Sequence, residues 1–144
     1  MKGKTQGFIR QLQQAAQKLA DDNEEVMIVY LYGSVVEGYA HERSDIDLAV
    51  VIDKNKCQKS FLEQMRYSDP FEEAFRREKI DLRVLNDAPL SFKYAVVAKG
   101  TILYSRDADF TETFETKVQK TYWDFQPHLL EYSRELLTSL AGRT

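Results

Sequence analysis

A glycine–serine turn followed closely by two aspartates that alternate with apolar residues could bind phosphate and a divalent metal ion. The turn begins at Gly33-Ser34, and the acids lie within residues 44–50. Glycine lets the backbone adopt turn geometry and leaves space for an anion to approach closely. The serine hydroxyl and the neighbouring backbone amides can face that anion. We therefore predict that Gly33 and Ser34 contact the phosphate groups of a ligand.

Asp45 and Asp47 are predicted metal ligands. Alternate residues of a β-strand project to the same face, so the two carboxylates would lie on one side, about 7 Å apart along the chain. Neighbouring carboxylates repel each other unless a cation lies between them. Mg²⁺ prefers oxygen ligands and accepts some of them from phosphate groups. The pair therefore predicts a magnesium site next to the turn.

Asp81 is the third candidate ligand. It lies in residues 80–85, where apolar residues alternate with Asp81 and Arg83, so these two side chains share the polar face of a predicted strand. Aspartate is unfavourable inside a strand, which indicates a functional reason for its presence. If this strand is adjacent to the first acidic strand, three carboxylates converge. Two metal ions could then hold the attacking and leaving oxygens of a displacement reaction.

The roles of two arginines stay open at this level. Arg43 could contact phosphate or lie free in a loop. Arg83 could neutralise phosphate charge or form an ion pair with Asp81, and the sequence does not separate these alternatives.

The composition is that of one globular domain spanning residues 1–144. The chain has 43% hydrophobic and 30% charged residues and a formal net charge of −3. This charge provides no general basic surface, so direct nucleic-acid binding is not expected. The only cysteine, Cys57, cannot form an intrachain disulfide, which is typical of a cytoplasmic protein. No apolar run approaches the ~18 residues of a membrane span.

The hydrophobic pattern predicts an α/β fold. We expect a mixed, twisted sheet of about four strands with helices on one face, which leaves the acidic face open. The catalytic core would cover about residues 25–105. Helical spacing predicts a first helix at residues 6–20 and another between Pro89 and Gly100. Strands are predicted at residues 26–32, 45–52, 80–85 and 101–104.

The C-terminal segment, about residues 108–141, carries one apolar stripe at helical spacing. It predicts a long helix or a helix pair, with a kink or restart at Pro127 because proline lacks a backbone donor. The stripe either covers the core of the domain itself or forms a face that binds a partner.

These motifs resemble the minimal nucleotidyltransferases of the polymerase β superfamily, whose pattern is a Gly-Ser turn, Asp-x-Asp and a later Asp. Within the superfamily, the chain is most similar to the MNT antitoxins of HEPN–MNT toxin–antitoxin pairs. The similarity covers about residues 25–135 and includes residues 97–104 before the long C-terminal helix. Arg83 departs from the pattern, which has a mostly apolar residue there.

The resemblance implies a polymerase β palm-like fold and transfer of AMP from ATP to a hydroxyl, in particular a tyrosine, of a partner HEPN ribonuclease. It implies that Asp45, Asp47 and Asp81 are the catalytic residues and hold two Mg²⁺ ions. Gly33, Ser34 and Ser44 would bind the nucleotide. Two alternatives remain: transfer to a small molecule such as an aminoglycoside, and a non-catalytic antitoxin that occludes its toxin.

Overall fold

The computed structural model describes the backbone of residues 2–33 and 45–141, with the side chains of residues 6–33 and 45–125. These residues form five helices and four strands, and a 3₁₀ turn, Met65–Ser68, follows the second helix. The elements are α1 (Lys2–Asp22), β1 (Val26–Tyr32), β2 (Ile46–Ile52), α2 (Phe61–Gln64), α3 (Asp69–Ala74), β3 (Ile80–Val84), α4 (Leu90–Lys99), β4 (Thr101–Ser105) and α5 (Ala108–Ala141).

The four strands form one mixed sheet in the order β3-β2-β1-β4. β1 pairs antiparallel with both β2 and β4, whereas β2 and β3 are parallel. The predicted α/β class and the four-stranded mixed sheet are therefore confirmed. β3, which carries Asp81, is an edge strand adjacent to the strand that carries Asp47.

One face of the sheet is covered by α1 and α3. The apolar residues of α1 recur every three or four positions, and this spacing aligns them on one side of the helix. Leu12 and Leu19 of α1 are buried there against Leu48 and Val50 of β2. Phe71 of α3 completes this core. The even-numbered residues of β2 therefore face the interior, and its odd-numbered residues face the opposite side of the sheet.

The opposite face is covered in part by α4 and the first turns of α5. Tyr30 of β1 and Val51 of β2 are buried there, with Val96 of α4. Phe110 and Phe114 of α5 pack against the same cluster. Helices therefore lie against both faces of the sheet, the one face that the pattern predicted and the opposite face. β1 is apolar on both of its sides, so each side needs to be covered.

The C-terminal segment is one helix. α5 continues through Pro127 to Ala141, so the alternative of a restart at Pro127 is not found. Its first apolar residues cover the domain's own core, whereas Trp123 is 58% exposed. No helix within the described residues is long and apolar enough to cross a membrane.

A buried ion pair links Glu25, directly before β1, to the segment before α2. Glu25 is 2% exposed and accepts hydrogen bonds from Lys59 Nζ and from the Tyr67 hydroxyl, each at 2.6 Å. Burial by itself opposes ionisation of this carboxyl. The hydrogen bonds from Lys59 and Tyr67 outweigh that effect and hold the pKa of Glu25 below its usual value.

Candidate active site

Asp47 and Asp81 lie opposite each other in the parallel pairing of β2 with β3. The pairing begins one residue earlier, with Ile46 opposite Ile80, and the amide of Ile46 donates to the carbonyl of Lys79 at 2.8 Å. Residues in register on adjacent strands project to the same face. The two carboxylates therefore share the face on which α4 and α5 pack. The Asp81 side chain is 39% exposed, so the site is open to solvent.

Asp45 lies immediately before β2 and acts on the same site. Burial raises the pKa of the Asp47 carboxyl, and the charges of Asp81 and Asp45 raise it further against the opposing effect of Arg83. Like charges disfavour each other's ionised form only at short range. The charges of Asp45 and Asp81 therefore both act on Asp47.

Gly33 directly contacts the acidic cluster. It directly follows β1 and has a φ of +90°, a backbone conformation that residues other than glycine rarely adopt. A Cβ at this position would overlap Oδ2 of Asp47 and lie 3.2 Å from its Cγ. The turn therefore needs glycine for two reasons, its backbone conformation and the close approach of Asp47. The other predicted phosphate contacts, Ser34 and Ser44, lie outside the described residues, as does Arg43.

Arg83 forms an ion pair with Asp81, one of the two roles that the sequence left open. Its Nε lies 3.6 Å from Oδ2 of Asp81, and its guanidinium lies 5.6 Å from the centroid of the Phe92 ring. Phe92, on α4, also packs edge-on against Tyr32 at a centroid distance of 5.3 Å. The aromatic ring thus supports both Arg83 and Tyr32 beside the acids.

Sequence reasoning missed Tyr32 and Phe92. Tyr32 pairs with Asp47 across β1 and β2. Burial raises the pKa of Tyr32 to about 12, and the charges of Asp81 and Asp47 contribute to the increase. Its position directly before the glycine turn was a usable signal. Phe92 had none, because its place depends on how α4 packs against the sheet.

The acidic cluster provides oxygen ligands but does not enclose a cation by itself. Within residues 6–33 and 45–125, no three Asp, Glu, His or Cys side chains are grouped closely enough to hold a metal ion. Mg²⁺ commonly takes only one or two carboxylates and completes its shell with phosphate oxygens and water. The mutual repulsion that raises the pKa of Asp47 is what a divalent cation would relieve. The residues therefore fit a magnesium ion that binds together with a nucleotide.

The mixed sheet carries Asp47 and Asp81 on adjacent strands beside a glycine turn. The family model described as "Polymerase beta, Nucleotidyltransferase" matches residues 14–109, and the chain belongs to this family of nucleotidyltransferases. No curated protein sequence gives a significant match.

Solved structures of toxin–antitoxin complexes have the same fold. One toxin–antitoxin with AMP-PNP has a TM-score of 0.72 at 24% identity, over 87% of this chain and 98% of the other. A substituted form of the toxin–antitoxin MntA–HpeT has a TM-score of 0.67 at 25% identity, over 83% and 93%. A third complex pairs a tri-AMPylated Shewanella oneidensis HEPN toxin with an MNT antitoxin. It has a TM-score of 0.67 at 21% identity, over 87% and 95%. Sheet and helices therefore correspond over nearly the full length of these neighbours.

Proposed function

We propose that this chain is an Mg²⁺-dependent protein adenylyltransferase that transfers AMP from ATP to a tyrosine hydroxyl of a partner HEPN ribonuclease. It would thereby act as the antitoxin of that ribonuclease in the cytoplasm, as a single domain of residues 1–144. The observation that carries the proposal is the register of Asp47 with Asp81 beside Gly33. Support for the acceptor comes from structural neighbours that contain AMP-PNP or an AMPylated HEPN toxin.

Each acidic residue has a distinct role in this reaction. Asp45 and Asp47 would hold Mg²⁺ together with Asp81, and Gly33, Ser34 and Ser44 would contact the phosphate oxygens. Asp81 faces the acceptor and receives the proton of the tyrosine hydroxyl. The acceptor oxygen forms a bond to the α-phosphorus, the bond from that phosphorus to the bridging oxygen breaks, and pyrophosphate leaves. Bound Mg²⁺, one or two ions, supplies positive charge that stabilises the phosphate oxygens during transfer.

A small scaffold is sufficient for this reaction because the protein mainly has to position the reacting groups. Phosphoryl and nucleotidyl transfer depend chiefly on alignment and on charge neutralisation rather than on covalent chemistry by the protein. A glycine turn on β1 and two carboxylates on adjacent strands provide that alignment from rigid elements. This arrangement needs no additional substrate domain when the acceptor is itself a folded protein.

The decisive experiment uses a HEPN protein whose gene adjoins that of this chain. Purified chain is incubated with that protein, Mg²⁺ and ATP labelled at the α-phosphate, and transfer of label to a tyrosine is followed by mass spectrometry. We expect labelling by the native chain and none by the double variant Asp45→Ala plus Asp47→Ala. The variant Glu72→Ala plus Glu73→Ala, which removes two exposed carboxylates from α3, serves as the matched control and should retain activity.

Two results would replace this proposal by one of its alternatives. If the double variant still neutralises the toxin in cells, the chain acts by occlusion and not by catalysis. If the native chain labels no protein but confers aminoglycoside resistance on a sensitive host, the acceptor is a small molecule.

A further inference from the structure

A groove of ≈ 420 Å³ lies beside β3, on the side away from β2. One wall is formed by Phe61 of α2 and by Met65 at the start of the 3₁₀ turn. The other wall is formed by Leu82, Arg83 and Val84 of β3. We call it the α2–β3 groove, and neither the family assignment nor the structural neighbours assign it a role.

The α2–β3 groove follows the edge of the sheet and not one of its faces. Successive residues of a strand point to opposite faces. Leu82 packs towards the core beneath the sheet, whereas Arg83 points to the acidic face, where it contacts Phe92. A groove lined by both residues therefore runs along the edge of β3. Within the described residues, β3 pairs with no strand other than β2, and the 3₁₀ turn packs beside it.

Two large apolar side chains in the wall of the groove are exposed to solvent. Phe61 is 77% exposed and Met65 is 60% exposed. Both project beside a strand edge whose backbone groups can form hydrogen bonds with an added strand. A helix beside an open strand edge is a recurring arrangement for binding an extended peptide: the strand supplies main-chain hydrogen bonds and the apolar wall receives side chains.

The position of the groove relative to the acids indicates which ligand the groove binds. In the sheet order, Gly33 of β1, Asp47 of β2 and Asp81 of β3 follow one another, and the groove comes next. The phosphate turn and the groove therefore lie on opposite sides of Asp47. A nucleotide bound at Gly33 leaves the Asp81 side for the acceptor, and Asp81 is only about 3.3 Å along the strand from Leu82 in the groove wall.

We propose that the α2–β3 groove binds the tyrosine-bearing segment of the acceptor protein in an extended conformation along β3. This inference rests on the proposed function and specifies how its acceptor is recognised. An apolar side chain of the segment packs between Phe61 and Met65, and the tyrosine reaches Asp81.

The test compares two neighbouring residues of α2. Phe61 lines the groove and is 77% exposed, whereas Leu62 is 73% exposed on the same helix but does not line it. We expect Phe61→Ser, and likewise Met65→Ser, to raise the KM for the acceptor protein about tenfold or more, as truncation of a central interface residue does. The KM for ATP should stay within about twofold, because the groove is separate from the nucleotide side. Leu62→Ser should leave both values unchanged.

A cross-linking experiment gives an independent readout that does not depend on the folding of the serine variants. A photoreactive amino acid replaces Phe61 in one sample and Leu62 in the other, and the complex with the acceptor protein is irradiated. Cross-links from position 61, but not from position 62, should map to the peptide that contains the modified tyrosine.

Failure of the groove inference can be distinguished from failure of the proposed function. If the native chain transfers AMP to the acceptor and Phe61→Ser does so with the same KM, the groove inference is wrong and the proposed function stands. Cross-links from position 61 to a second copy of the chain, or to an acceptor segment remote from the tyrosine, also overturn it. If the native chain transfers no AMP to the protein, both proposals are wrong.

Discussion

The carboxylate of Asp47 lies between Gly33, which directly follows β1 and which it nearly touches, and Asp81 of β3, which it faces in register. This arrangement places the phosphate turn, the central acid and the acceptor-side acid on three consecutive strands. Burial raises the pKa of Asp47, and the charges of Asp81 and Asp45 raise it further. Four predictions follow from these contacts and from the ion pair at Glu25.

Asp47→Asn should abolish activity while stabilising the fold. The pKa of Asp47 is raised in the folded state, so the ionised carboxylate destabilises the fold at neutral pH. This destabilisation disappears as the pH falls below the usual pKa of 3.8. We expect a higher melting temperature at pH 7 and a loss of AMP transfer of at least about 100-fold. Thermal unfolding and a labelled-ATP assay measure the two effects. A lower melting temperature at pH 7 would contradict the charge argument.

Gly33→Ala should destabilise the protein by about 1–3 kcal/mol, because alanine is strained at positive φ. Its Cβ would also displace the Asp47 carboxylate, so AMP transfer should fall together with stability. Gly7→Ala is the matched control: no atom lies within 4 Å of the added Cβ, and the residue lies within α1. That change should stabilise the helix by about 0.5–1 kcal/mol. Urea unfolding compares the two variants.

Arg83→Met should reduce the Mg²⁺ concentration needed for half-maximal activity. Arg83 neutralises Asp81 in the absence of metal, so its removal eliminates a cation that competes for the same carboxylate. Stability should change by less than about 1 kcal/mol because the pair is exposed. Arg66→Met breaks another exposed ion pair of 3.6 Å, with Asp69, and should leave the Mg²⁺ requirement unchanged. An increase in the KM for ATP with an unaltered Mg²⁺ requirement would instead assign Arg83 to phosphate binding.

Glu25→Gln should destabilise the fold by about 2 kcal/mol at pH 7, the typical contribution of hydrogen bonds to a buried charged group. The pKa of Glu25 is lowered on folding, so its contribution is fully present above the usual value of 4.5 and is lost as the pH falls through the lower folded-state pKa. The difference between variant and native chain should therefore shrink below about pH 4.5. Glu73→Gln, which breaks the exposed pair with Lys18, should change stability by less than about 1 kcal/mol. Denaturant titrations across pH 3–7 test this dependence.

Local patterns in the sequence were sufficient for most individual elements. The continuous apolar run of residues 26–32 predicted a strand, and β1 covers the same residues. Pro89 and Gly100 predicted the limits of α4, and the amide of Gly100 donates to the carbonyl of Val96 at its end. The alternation of Asp81 and Arg83 with apolar residues predicted their shared face. Each of these features depends only on neighbouring residues, whose periodicity is visible in one dimension.

The long α5 helix was predictable in type but not in detail. Its apolar spacing left a helix pair and a single helix equally open, and the structure has one helix through Pro127. Whether its stripe covered the core or a partner was also open. Phe110 and Phe114 pack on the sheet because the second face of β1 and β2 is apolar, and the helix alone does not contain that information.

The sequence by itself determined the chemistry available to this protein: a glycine turn, Asp45 and Asp47 on one side of a strand, and Asp81 on the polar side of another. Only the tertiary structure decided that β3 lies beside β2 with Asp81 opposite Asp47, that Gly33 abuts Asp47, and that β3 is an edge strand of the sheet. Side-chain alternation is a local property of an extended chain. Strand order and register depend on contacts between residues distant in the sequence, which local periodicity does not encode.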